Sequence, residues 1–272
     1  MQALPTNGAV KLYVDIQKLR AGGALDLIAG KRAVEDPEYR AFADQIGLDY
    51  RTDLDAIAVS FVNGGVYAAA RGRFNWKKLD DYTRSQQGHC VNQICTMPAS
   101  QPNKNTSFYP LNDHVLAIAV SDAPEGVRIV SAGQSKGFSV PAAIIWVSAP
   151  GASFQNPPIF VPGTRSFLTP LADSQEASFG VQPREFGKAD ELEIRMDVVS
   201  KSPDAATQLA GDLTSVTLEL RHMLSLDKLT PPKTSLTSLL VSGHFEAHQS
   251  RVTGTWPLDL AVVEALASGK VN

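Results

Sequence analysis

The densest grouping of side chains able to bind a metal or move a proton is His244-Phe245-Glu246-Ala247-His248. The zinc-protease pattern H-E-x-x-H places two histidines one helical turn apart, and this segment lacks that spacing. On a strand, alternate residues share a face, so His244, Glu246 and His248 would line one side. Neighbours on that face lie roughly 7 Å apart and the two histidines roughly 13 Å apart. One tetrahedral ion, with ligands about 2 Å away, cannot reach both histidines without a bulge. The segment therefore reads as the polar outer face of an amphipathic strand, with Phe245 and Ala247 turned to the core. No specific metal is expected there.

Gly133-Gln134-Ser135-Lys136-Gly137 matches G-x-S-x-G, the turn that lifts a nucleophilic serine above a sheet. That chemistry needs a strand before the serine and a helix after it. The residues that follow, FSVPAAIIWV, contain a proline and several β-branched residues and read as a strand. Ser135 thus reads as part of a connector, with a Ser135-based hydrolase, or a metal enzyme using His244 and His248, as the alternative function. Asp49, Asp53 and Asp55 make a third grouping, but a calcium loop needs a tight glycine turn that this segment lacks. These aspartates read as turn and strand-start residues, with Arg51 offsetting their charge. Gly30-Lys31 lacks the rest of a phosphate-binding loop, and no G-x-G-x-x-G occurs. His222 reads as a solvated or partly packed helix residue, and Trp76, Trp146 and Trp256 as core anchors. No cofactor is expected.

The two cysteines, Cys90 and Cys95, stand in HCVNQIC. Their spacing is too wide for the C-x-x-C redox motif, and His89 alone cannot complete a zinc site. If Val91 to Ile94 form a tight loop, the two Cβ atoms face each other at disulfide distance. A disulfide is expected, with two free thiols as the alternative. A structural disulfide would favour an oxidising compartment.

The elements that must carry these residues are legible in outline. Val10 to Leu19 reads as a first strand and Ala21 to Gly30 as a short helix. Asp36-Pro37 starts a helix carrying Tyr39, Phe42, Ala43 and Ile46 at helical spacing, and Gly47 closes it. Asp55 to Phe74 reads as a hairpin turned at Asn63-Gly64, where a type I′ turn needs positive φ at both central residues. Asn75 caps a helix that Gly88 ends; His114 to Ser121 is a strand and Ala123 to Ala132 a short helix. A second series begins near Ala142: a strand, a loop region from Ala149 to Thr169, then a hairpin at Glu176 to Lys201. Ser202-Pro203-Asp204 is the best helix start in the chain. Ala206, Leu209, Ala210, Leu213, Val216, Leu220 and Leu224 make one apolar stripe to be packed on a sheet. A last hairpin over 244–259 and a helix from Leu260 to Ala267 complete the series. The order suggests α+β architecture: a tandem duplication of a ferredoxin-like βαββαβ unit, with antiparallel sheets covered by helices. The repeats would span residues 1–138 and 139–272.

Composition bounds the function. Among 272 residues, 43% are hydrophobic and 19% charged, which suits a globular protein with a substantial core. The net charge of −3 is mild and no basic stripe appears, so no nucleic-acid partner is expected. No apolar stretch reaches the roughly 20 residues that span a bilayer. The N-terminal MQALPTNGAVKLYV has no signal-peptide pattern, which leaves a cytoplasmic protein or one whose signal is absent from this chain.

Several segments together resemble a family of uncharacterised bacterial exported proteins. They are GLDYRTDLDAIAVSF (residues 47–61), VYAAARGRF (66–74) with the helix starting NWKKLDDY, and SGHFEA with RVTGTWPL in the second half. The resemblance spans most of the chain and its motifs are structural, so it carries no functional residues across. It implies an extracytoplasmic setting (periplasm or cell envelope) with the signal or anchor absent from this chain. With no constellation of nucleophile, base and oxyanion donor apparent, the leading expectation is a non-catalytic binding or interaction module for an unknown protein or small-molecule partner.

Overall fold

The computed structural model describes residues 4–25, 37–131, 142–155, 164–184, 192–228, 230–232 and 235–267. It is an α+β protein in which antiparallel strands are covered by helices, and it divides into two compact units, Met1–Ile144 and Ile145–Asn272. The expected repeat boundary at 138/139 lies outside the described residues.

In the first unit, strand β1 (Val10–Asp15) leads directly into helix α1 (Ile16–Ala21). The strand is shorter than its apolar pattern suggests because the Asp15 carboxylate accepts from the Lys18 amide and starts the helix. Helix α2 (Pro37–Ile46) ends at Gly47, whose φ of +66° is the left-handed stop its sequence predicts. A one-turn helix α3 (Tyr50–Asp53) precedes β2 (Leu54–Val62) and β3 (Gly65–Gly72). Asn63 and Gly64 join these strands at φ of 51° and 70°, as a type I′ turn requires. Asn75 caps helix α4 (Trp76–Ser85) by accepting from the Lys78 amide.

Helix α4 is followed by β4 (His89–Val91), β5 (Ile94–Pro98), β6 (Asn105–Asn112) and β7 (Val115–Ser121), then the short helix α5 (Arg128–Ser131). Sheet order is β1-β2-β3-β7-β6-β5-β4. Gln87 takes the left-handed position after α4, at φ 61°. Gly88 instead lets the chain pass close to Thr83 and Met97, where a Cβ would come within 2.7 Å of both side chains. The strand β6 was not foreseen: its proline and asparagines mask the alternation of NTSFY.

In the second unit β8 (Ile145–Pro150) is followed by a 3₁₀ turn (Gly151–Phe154), the helical turn α6 (Arg165–Leu168) and a second 3₁₀ turn (Thr169–Asp173). Next come β9 (Glu176–Pro183), β10 (Leu192–Val199) and the long helix α7 (Pro203–Leu226), whose first turn is capped by Ser202 Oγ accepting from the Ala205 amide. Helix α8 (Leu236–Val241), β11 (His244–His248), β12 (Arg251–Leu258) and α9 (Leu260–Ala267) finish the unit. Sheet order is β8-β9-β10-β12-β11. Consecutive strands pair side by side in both units except where the helix after β3 or β10 intervenes. Each unit is a three-strand meander whose later strands return to its third strand, four of them in the first unit and two in the second, where a ferredoxin-like unit would interleave its strands. Short hairpin loops such as Asn63-Gly64 hold β2 and β3 adjacent and leave no room for a strand between them.

The stripe on α7 packs as its spacing predicts through Ala206, Leu209, Ala210 and Leu213. It then rises out of the core: Thr217 is the last buried position, Val216 and Leu220 are partly buried, and Leu218, Met223 and Leu226 are exposed.

Candidate functional site

The inner face of the second unit's sheet is set by register. Met196 on β10 faces Phe179 on β9 and Gly254 on β12, while Ile194 faces Trp256. Gly254 in turn lies opposite Phe245 on β11. A Cβ at position 254 would come within 2.9 Å of Met196 Cε and 3.0 Å of the Phe245 ring, so glycine there makes room for both large side chains. Phe245 and Trp256 meet edge to face with centroids 5.2 Å apart, and Phe167 from α6 lies 6.5 Å from Phe245.

Three helices close over this face, and they do not fill it. A cavity of about 210 Å³ remains between the sheet residues Phe179, Ile194, Met196 and Trp256 and the helices. Leu213 of α7, Phe167 and Leu168 of α6, and Leu236, Leu239 and Leu240 of α8 supply its other walls, with Thr164. The space is partly open to solvent, so it is an apolar recess and not a sealed packing void. The only polar side chains on its described lining are Thr164 and Trp256. The Trp256 side chain is 6% exposed, and its Nε1 is buried with no hydrogen-bond partner. No wall residue titrates near neutral pH. The arrangement can hold an apolar body; it offers nothing to transfer a proton. Trp256 is a core anchor, as its sequence setting suggests, and also a cavity wall, which sequence did not reveal. Helix α8, a principal wall, went unforeseen in a segment read as loop, although Ser235 before LTSLLV is a capping signal; its Oγ accepts from the Ser238 amide.

A smaller groove beside the start of α7 is lined by Asp173, Ser174, Ser200, Gln208 and Asp212 among others. Ser200 Oγ is buried there with no partner. Asp173 is fully solvent-exposed, so the groove has no enclosed charge.

The residues singled out from sequence fall elsewhere. Ser135 lies outside the described residues. His244, Glu246 and His248 stand exposed on β11, with His244 Nε2 3.0 Å from Glu246 Oε1. Phe245 points into the core, but Ala247 is exposed, contrary to the alternation expected of it. It lies near the end of the edge strand of the sheet, while its register partner Val252 on β12 stays buried. His222 is exposed on α7.

Cys90 and Cys95 are bonded, directly opposite each other across the β4–β5 hairpin. Asn92 and Gln93 make the turn at φ of 50° and 67°. Asp80 lies near both sulfurs and forms with them a close grouping of possible metal-ligand atoms. The sulfurs are bonded to each other, so neither is a thiolate able to ligate.

The aspartate grouping is structural. Asp49 accepts from the Arg51 backbone amide at 2.9 Å and from the Arg51 guanidinium at 2.6 and 3.1 Å. The Arg51 hydrogen bond holds the Asp49 carboxyl below its ordinary value, against the opposing effect of burial. Asp53 accepts from the Asp49 amide and from Arg73. Nearby, burial is the main influence raising the Tyr39 phenol, which donates to Asp49 at 3.5 Å.

No protein-family model matches the chain, and no curated protein matches it in sequence. Among solved structures it is similar to crystal form IV of TP0453, with a TM-score of 0.50 and 11% identity over 97% of this chain and 92% of that one. Crystal form III of the same protein gives a TM-score of 0.49 and 11% identity over 95% of this chain and 92% of that one. At such identity the likeness concerns the fold alone. Among the described residues no helix is long and apolar enough to cross a membrane.

Proposed function

We propose that this protein is a non-catalytic, extracytoplasmic binding module that takes a small apolar molecule into the cavity of its second unit. The observation that carries this reading is the 210 Å³ space walled almost wholly by Leu, Ile, Met, Phe and Trp side chains. Small-molecule sites are concave and mostly apolar, with few polar groups to fix orientation. The Cys90–Cys95 disulfide supports the extracytoplasmic setting, because such bonds persist in oxidising compartments. Both units run three strands, a helix and then a hairpin whose last strand pairs with the third (β6–β7 on β3, β11–β12 on β10), the first unit adding β4 and β5; this partial correspondence supports reading them as copies of one ancestral unit, of which the second holds the ligand.

Isothermal titration calorimetry with toluene tests the reading. The whole chain is expected to bind one equivalent, and Leu240→Trp, which puts an indole into the space, is expected to abolish binding without loss of folded structure. Absence of binding to the unaltered chain would defeat the proposal.

A further inference from the structure

We infer that the Cys90–Cys95 bond masks a zinc site: once a small dithiol reduces it, the two thiolates and the Asp80 carboxylate bind one Zn²⁺ and leave its fourth position open to water. The ligand atoms are already gathered. One Asp80 oxygen and the two sulfurs all lie within 4.8 Å of one another. Tetrahedral zinc holds sulfur at about 2.3 Å and carboxylate oxygen at about 2.0–2.2 Å, so its ligand atoms stand roughly 3.5–4 Å apart. Cys90 and Cys95 are directly opposite on paired strands, so once unbonded the sulfurs reach that separation by side-chain rotation. Two thiolates with a carboxylate suit zinc, whereas calcium and magnesium take oxygen ligands.

The three positions are held by more than the bond. Cys95 is on β5, which pairs with β6 through Cys95 and Phe108, and it packs in a core with Ile46, Leu79 and Leu116. Asp80 is on α4, next to the buried Leu79 of that same core. Gly88 brings the end of α4 against β5: its amide donates to the Thr83 carbonyl, and a Cβ there would strike the Thr96 carbonyl oxygen. Charge balances too. Two thiolates and a carboxylate carry three negative charges; the ion supplies two positive charges, and Arg84, 2.8 Å from Asp80, supplies the third. Arg84 is 69% exposed, so it gives up its hold on the carboxylate at little cost.

The dithiol attacks one sulfur, passes through a mixed disulfide and leaves as its own cyclic disulfide; its two electrons and two protons end on Cys90 and Cys95 as thiols. Zinc then displaces both thiol protons to solvent as two Zn–S bonds form. In an oxidising compartment the site stays closed until such a reductant arrives.

Cobalt(II) is the probe, because its sulfur-to-metal charge-transfer band reports thiolate ligation and is blind to cobalt on His244 or His248. The full chain is reduced with a phosphine, freed of it under nitrogen, and titrated. The band is expected to saturate at one equivalent, to vanish when zinc is added, and to be absent from the unreduced chain. Loss of an outer-shell partner alone weakens metal sites about 10–100-fold, so Asp80→Asn should bind at least about tenfold more weakly while keeping the band. Circular dichroism and amide resonances of the reduced chain are recorded alongside. A reduced chain that stays folded and shows no band would overturn the site, as would one in which the β4–β5 pairing is lost. Equal affinity in Asp80→Asn would overturn the three-ligand assignment.

Discussion

The two units close their sheets by opposite means. In the first, the central strands carry small residues: Ala58, Ala69 and Ala117 stand opposite one another across β2, β3 and β7, and each is at most 1% exposed. Small side chains let covering chain approach closely, and polar and covalent ties supplement the packing. Ser107 Oγ accepts from the buried Val127 amide, and the Cys90–Cys95 bond sits in a core with Ile46, Leu79, Phe108 and Leu116. The second unit presents large side chains to its helices, in a core built on Met196, Leu213, Phe245 and Trp256. Large, irregular side chains leave a recess where small ones would close. The cavity described above lies among the long side chains of the second unit.

Removing a large wall residue should have the greatest effect on that contrast. Leu213 is 1% exposed and touches both the core and the cavity. Leu213→Ala is expected to cost about 2–5 kcal/mol in urea unfolding, at the high end if the new space merges with the existing one. The first unit's counterpart is its disulfide. Replacing both Cys90 and Cys95 by alanine should cost roughly 2 kcal/mol, since the closed loop is short. Unfolding with and without reductant checks this, and reductant should leave toluene binding intact.

Smaller effects test the polar ties. Asp49→Ala removes the cap of α3 and the Arg51 pair, and should cost about 1 kcal/mol. Because Asp49 is depressed in the folded protein, its contribution is present above the ordinary carboxylate value, about 3.9. It is lost as pH falls through the lower folded value. Arg51→Ala should therefore flatten stability against pH on the acid side. The change should be small, because the pair is partly exposed and screened. Unfolding midpoints between pH 2 and 6 would show it.

What could be read in advance followed from local signals. Asn63-Gly64, Asn75 and Ser202 each act on their own neighbours, so their turn and caps were legible, as was the apolar stripe from Ala206 to Leu213. The Cys90–Cys95 bond was legible because the two residues are five apart and the intervening residues fit a tight turn. The cavity was not. Its walls come from Phe167, Phe179, Met196, Leu213, Leu239 and Trp256, on six different elements, and a recess is made by what side chains fail to fill. The strand order was hidden for a related reason: alternation shows that a strand has a buried face and says nothing of which strand lies beside it. The histidine-rich strand drew attention because its residue types are reactive, yet its exposure on β11 left that chemistry without an enclosed setting.

The central claim is that the space beside Met196 accepts an apolar molecule. The chain has four methionines, Met1, Met97, Met196 and Met223, and of these Met196 alone is on the cavity wall. Labelling the methionine methyl groups with ¹³C and titrating toluene reads the site directly. The Met196 resonance is expected to move in a saturable, one-to-one manner as the ring current reaches it, while Met223, exposed on α7, stays in place. Small parallel drifts of all the methyl signals, or no movement at Met196 up to the solubility limit of toluene, would contradict the account.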